Sequence, residues 1–415
     1  MADLDWNKNK KQVADTKKIL EQYPNIQEFA VSPDGEKIAA VVKNQEGQFT
    51  ACVNGELWSN TYEYMWHLRF LPNGKLIALV KIDGEWTLAV DNEAWPEKFE
   101  YAWNPKLSEN GETIGLLCKR DNVYGVSLNG KFWENTFLSI RDYAISPDGK
   151  HAAATVQIDP LKEADVEGFF KGVWSVAVDG SAWGGKYVNC WSPIFNSDSS
   201  KVAAEIRTGI CEYSIALDNK PWDTKFGCVW APIFKPGSSS VITPIRDQGK
   251  WSLAENGSPI WGGYVQIWQH KFSPDASKIA AIVAPSFGKW TIAVNDKPWA
   301  DTYSDMVLSP IFSPDSKNVA AIIKDNDKWT IAVNGKAWKQ DFDMIWDPAL
   351  STSGSVAAKA EKDKKYMIVL NGNIIPKTYE KLWDPIFSPD GEKILLRYVE
   401  DGKYFREVAA FGDLK

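Results

Sequence analysis

The sequence predicts an all-β protein, a β-propeller of ten four-stranded blades. Three observations point there. A unit of about 38 residues recurs ten times, a two-residue turn of Asn, Asp and Gly sits in nine copies, and Trp returns at fixed places in the unit. Residues 328–338 (KWTIAVNGKAW) nearly repeat residues 289–299 (KWTIAVNDKPW), 39 positions earlier. Aligned on the Pro position of an SPDG turn, the copies fall at 33, 72, 109, 147, 197, 236, 274, 314, 352 and 389. All spacings are 37 to 40 except the 50 between positions 147 and 197. A fixed period of this length marks a repeat architecture.

Local chemistry assigns the elements in order. Strand a is typified by WDPIFS (383–388) and leads into the SPDG turn, where Pro presets φ and Gly supplies a left-handed position. Strand b follows as NVAAII (318–323). In strand c, Trp329, Ile331 and Val333 alternate with Thr330 and Ala332, the period of a strand. The c–d turns read Asn54-Gly55, Asp91-Asn92, Asn129-Gly130, Asp179-Gly180, Asp218-Asn219, Asn256-Gly257, Asn295-Asp296, Asn334-Gly335 and Asn371-Gly372. A type I′ hairpin needs positive φ at both central residues, which these residue types tolerate. A short strand d, KAW (336–338), completes the unit. Four antiparallel strands repeated many times are propeller blades.

Of 21 Trp, seven open strand a (66, 103, 191, 230, 268, 346, 383), eight lie in strand d (58, 95, 133, 183, 222, 261, 299, 338) and five start strand c (86, 174, 251, 290, 329). A ring that recurs in nearly every blade serves the blade. The expectation is that each fills the space between neighbouring blades, opposite the small Ala pairs of strand b.

The tenth copy stops after strand c at YFREVAAF (404–411) and lacks a strand d. The N-terminal segment, residues 1–27, is expected to supply it. Ile19 falls eight positions before Gln27, the first strand-a position, although VADTKKILEQY also reads as a helix. The unbroken repeat predicts one propeller over residues 1–415, with two smaller packed propellers as the alternative.

Net charge is −7 with both signs interspersed, and no basic stripe of the kind nucleic-acid binders carry is present. The one basic cluster, Lys8, Lys10, Lys11, Lys17 and Lys18, reads as a solvated terminus, or alternatively as a weak contact with an anionic membrane. No apolar run approaches the roughly 20 residues of a spanning helix. The start, MADLDWNKNKKQ, has no apolar signal core, so a cytoplasmic protein is expected. Five scattered Cys without CxxC pairing fit that compartment. Cys190 and Cys228, just before Trp191 and Trp230 in successive blades, are the one candidate thiol pair, with blade packing as the default reading.

Residues for chemistry are scarce. His67, His151 and His270 are separate, without a second ligand at metal spacing. The Asp of each SPDG turn is a turn former, and one carboxylate per turn is too few for Ca²⁺. Nucleophile elbow, Walker and dinucleotide motifs are absent from the sequence. No catalytic residue, cofactor or metal is therefore expected.

One copy departs from the pattern. From Pro147 to Trp174 the chain runs 27 residues, against 14 to 16 elsewhere. The surplus, QIDPLKEADVEGFFKG (157–172), extends the b–c loop of blade 4. LKEADVEG suggests a short helical turn, and Phe169 and Phe170, with Leu161, are candidate docking residues for a partner. The competing reading folds both rings back onto blade 4.

The SPDG-x-K-x-A-A element resembles the PD40 subgroup of WD40-like propeller repeats, known from the TolB family, over nearly the whole chain. The Trp/NG/Trp units such as WTIAVNGKAW (329–338), with the N-terminus described above, also resemble the tryptophan-rich TmcD family of the transmembrane Tmc electron-transfer complex of sulfate-reducing bacteria. That resemblance implies a non-haem accessory subunit. Its partners would be a membrane cytochrome b, an iron–sulfur protein and, across the membrane, a multihaem cytochrome. The leading expectation is thus a non-catalytic scaffold on the inner face of the cytoplasmic membrane. A Trp-rich glycan- or ligand-binding module comes second, and a quinone- or metal-dependent enzyme third.

Overall fold

The computed structural model describes residues 4–414. The protein is an all-β, ten-bladed β-propeller whose blades are ten separate antiparallel sheets. Blade 5 illustrates the order a-b-c-d with Asn189–Phe195, Val202–Gly209, Glu212–Leu217 and Lys220–Pro221. The chain divides into two compact units, one holding residues up to 80, 89–93 and from 269 onward, the other holding 81–88 and 94–268.

The c–d turn does more than reverse the chain. In all nine turns the first residue has φ between 46° and 52°. Its side-chain oxygen accepts from the backbone N–H that opens strand b, at 2.8–2.9 Å, as Asn54 does from Ile38 and Asn371 from Val356. This is why Gly, which satisfies the φ, never occupies that first position. Strand b is thereby fixed to the turn beyond its neighbouring strand.

The SPDG carboxylates behave as turn formers. Ser146 Oγ donates to Asp148 Oδ1 at 2.6 Å, and the same oxygen accepts from the Lys150 amide at 3.1 Å. These bonds, the serine's first, hold the Asp148 carboxyl down to about 2.

The tryptophans fall into two sets. Strand-d rings sit between blades as expected: a Cβ on the turn glycine Gly335 would lie 3.1 Å from Trp299 of the preceding blade, and one on Gly372 3.1 Å from Trp338. Strand-a rings also face the neighbouring blade, Trp103 packing with Ile140 and Tyr143 of blade 4 and Trp383 with Ile38 and Val42 of blade 1, and in addition they meet an aromatic residue near the start of strand c in their own blade. Trp103 meets Tyr124, Trp230 stacks on Trp251 at 5.6 Å and 9°, and Trp346 and Trp383 meet Tyr366 and Tyr404. Strand a breaks near this position. The register shifts there in blades 3, 4 and 5, and in blades 6, 8, 9 and 10 the strand is split in two.

A further aromatic series fills the blades. Tyr62, Phe99, Phe137, Tyr187, Phe226, Tyr264, Tyr303 and Phe342 are 0–9% exposed, and each bridges back to the aromatic residue at the start of strand c.

The N-terminus closes blade 10, but with other residues than expected. Asn9–Asp15 pairs antiparallel with Lys403–Ala410, from Asn9 opposite Val408 to Asp15 opposite Lys403. Ile19 belongs instead to α1 (Thr16–Gln22), where it is 6% exposed and packs with Phe29 and Tyr404. Asp15 ends the strand and caps the helix, accepting from the Lys18 amide at 3.0 Å. The basic cluster is likewise no free terminus: Lys8, Lys10 and Lys11 reach Asp413, Glu400 and Glu36 at 3.0, 2.9 and 2.6 Å.

Candidate functional site

Blade 1 is built differently from the others. Its strand a is only Ala30–Val31, paired with Ala39 and Ile38 of strand b (Ile38–Lys43). α1 ends at Gln22, Tyr23 caps it, and Pro24, which lacks an N–H, comes next. Residues 24–29 then pass strand b without joining it. Elsewhere the first half of strand a bonds the same stretch of strand b. Trp383 donates to the Arg397 carbonyl and Trp346 to that of Lys359, both at 3.0 Å, and Leu308 donates to Ile322 at 2.8 Å. Two residues further along strand b, Glu361 and Val399 accept from Asp343 and Glu380. Among the described residues the matching positions of blade 1, Val41 and Lys43, have no such bond.

A cleft of about 880 Å³ lies at this gap, lined by residues 22–31, Val41–Lys43, Phe49, Met65–Phe70, Trp383, Asp384 and Arg397. Arg397, 8% exposed, donates to the carbonyls of Ser32 at 3.1 Å and Asp384 at 2.8 Å, while its buried Nε has no acceptor. Burial, helped by the Arg69 charge, pulls the His67 imidazole below its usual value and favours its neutral form.

The blade 4 insertion carries α2 (Val166–Lys171), whose first turn is capped by Asp165, accepting from the Gly168 amide at 2.8 Å. The helix starts later than LKEADVEG suggested and includes both phenylalanines. Phe169 is half-buried and Phe170 is 39% exposed, and they meet edge to face at 5.3 Å. Leu161 and Val166 beside them are exposed at 40% and 63%. These apolar groups share the loop with Lys162, Glu163, Asp165 and Glu167.

Cys190 is buried on strand a of blade 5 and Cys228 half-buried on strand a of blade 6, and both thiols are free. Burial pushes both thiols up, and the carboxyl of Glu205 adds to this at each. Glu205 itself is a residue that reading the sequence missed. It occupies a strand-b position held by Val41, Ile282 or Ile322 in other blades, and a lone Glu in an apolar run was the available signal. Burial first, then the Asp142 charge, pushes its carboxyl up to about 8. Asp142 accepts from Thr155 Oγ1 at 2.8 Å and from the Ser192 amide at 3.1 Å.

The histidines stay apart. His67 lines the cleft, His151 Nδ1 pairs with Asp179 at 2.6 Å, and His270 is 6% exposed. Among the described residues no group of three or more His, Cys, Asp or Glu converges as a ligand set. No helix among them is long and apolar enough to cross a membrane.

No family model matches the sequence, and no curated protein matches it. Solved structures similar to the chain include a eukaryotic initiation factor, 14% identical with a TM-score of 0.46 over 81% of this chain and 96% of that one. Another is the Dos1 propeller, 11% identical with a TM-score of 0.40 over 77% of this chain and 92% of that one.

Proposed function

We propose that the protein is a non-catalytic scaffold that acts through protein–protein contacts. The observation that carries this reading is the blade 4 insertion, which breaks the repeat to present Leu161, Val166 and Phe170 to solvent, with Phe169 half-buried beside Phe170, amid charged residues. Apolar anchors inside a polar rim are the anatomy of an interface hot spot. The finer reading rests on the resemblance to the tryptophan-rich Tmc subunits. On it the scaffold is an accessory subunit of a membrane-bound electron-transfer complex, held at the cytoplasmic face by a membrane cytochrome b and an iron–sulfur protein.

Two measurements test it. The purified protein is expected to be colourless beyond its aromatic absorption and free of stoichiometric metal. Bound haem, flavin or an iron–sulfur cluster would contradict the scaffold reading. Affinity purification of the full chain from detergent-solubilised membranes of its own cells should bring down haem b and iron–sulfur absorption together. An eluate without them contradicts the redox-complex reading.

A further inference from the structure

We propose that the cleft at blade 1 binds a short extended peptide bearing a carboxylate, which adds a strand to the open edge of Val41–Lys43. This site is separate from the blade 4 insertion and does not depend on it.

The edge itself specifies the kind of occupant. In other blades the positions matching Val41 and Lys43 turn their carbonyls toward strand a and receive a backbone donor. In blade 1 those groups face the cleft instead, since strand a contributes only Ala30 and Val31. An open strand edge is a template for one more strand, and an extended backbone satisfies its alternating donors and acceptors. About three residues of such a strand span roughly 10 Å, so a short segment suffices. The volume of about 880 Å³ is within the range of built ligand sites.

Charge sets the side-chain chemistry. The cleft is lined by the cations Lys43, Arg69 and Arg397 against the anions Glu28 and Asp384, leaving one positive charge in excess with His67 neutral. Arg397 is more than nine-tenths buried there and keeps an Nε–H without an acceptor. A buried donor left unmet is costly, and a carboxylate brought in on the peptide answers both the donor and the excess charge. Phe29, Met65 and Val42 line the same space and suit apolar residues on alternate positions.

The test uses the full chain and a peptide labelled at its N-terminus with fluorescein, fluoresceinyl-Val-Thr-Val-Asp-Val-amide. Three comparisons accompany it: the same peptide with Asn for Asp, the same peptide N-methylated at alternate amides, and the Lys43→Pro protein. Fluorescence anisotropy should show saturable binding, weakened by about tenfold or more by N-methylation and by Lys43→Pro, the scale of one or two lost backbone hydrogen bonds. Asn for Asp should weaken it comparably. Amide exchange on the unsubstituted protein serves as a second readout that needs no variant. The Val41 and Lys43 amides should exchange fast in the free protein, in contrast to Arg397 and Val399 of blade 10, and slow when the peptide is added. Absence of binding overturns the proposal, as does equal affinity for the N-methylated peptide. Slow exchange at Lys43 in the free protein would mean that residues 24–29 already fill the edge, and equal affinity for the Asn peptide would remove the carboxylate from it.

Discussion

Arg406, on strand c of blade 10, donates from Nε to the backbone carbonyl of Asp34 in the first turn of blade 1, 2.8 Å away and 372 positions distant in sequence. The same guanidinium pairs with Glu36 at 3.1 Å and reaches Asn9 Oδ1 at 3.1 Å and the Asp5 carbonyl, while being 1% exposed. One buried side chain thus joins the closing strand, blade 10 and blade 1. Truncating it leaves the acceptors it satisfies without their donor, and each buried hydrogen-bonding group left unmet costs about 1–3 kcal/mol.

Arg406→Ala is therefore expected to lower the unfolding free energy by about 3 kcal/mol, read by urea denaturation. A loss under about 1 kcal/mol, the scale of an exposed ion pair, would contradict the clasp.

The turn glycines offer a matched pair. Gly335 and Gly74 have φ of 82° and 83°, yet a Cβ at Gly335 meets Trp299 at 3.1 Å and one at Gly74 meets nothing within 4 Å. Both Ala variants carry the same φ strain, of order 1 kcal/mol. Gly335→Ala should cost about 1 kcal/mol more, because the neighbouring ring must shift. Equal thermal denaturation of the two would show that Trp299 is not seated on the turn.

Glu205 makes stability depend on pH. Its carboxyl is pushed up to about 8 in the folded chain, against about 4.3 in an unfolded one. Below the lower value both states hold the proton. Between the two the unfolded chain gives it up first, so the folded state loses ground as pH rises toward 8. Glu205→Gln keeps the shape and removes the titration. It should match the parent near pH 4 and exceed it at pH 8 to 9, by up to a few kcal/mol. Parallel melting curves for the two proteins from pH 4 to 9 would refute the shift.

Much of this architecture was legible because propeller blades repeat, so each local rule could be checked many times. The Asn/Asp-Gly turns are an example, and their side-chain bond to strand b gives the rule a second cause beyond φ. The closing strand was misplaced because KKIL carries a helix pattern and the strand before it, NKKQVAD, is polar enough to resemble a solvated tail. Its Lys10 is paired with an acid 390 positions away, Glu400. That strand-a tryptophans such as Trp103 also meet an aromatic residue of strand c in their own blade was not legible, because spacing does not reveal the break in strand a. The cleft was invisible for a related reason. Pro24 and Gln27, standing where other blades have an amide that bonds strand b, as at Asp343 and Glu380, and most often a Trp, were its only traces.

The scaffold reading meets its most direct test at Phe169 and Phe170. Both lie on α2 outside the blade cores, touching each other at 5.3 Å. The measurement is co-purification of the full chain and of the Phe169→Ser, Phe170→Ser double variant from membranes of the source cells, with melting temperature taken on each. The account predicts loss of the co-purifying haem and iron–sulfur subunits with the melting temperature nearly unchanged. Normal assembly by the variant, or a collapse of its stability, would contradict it.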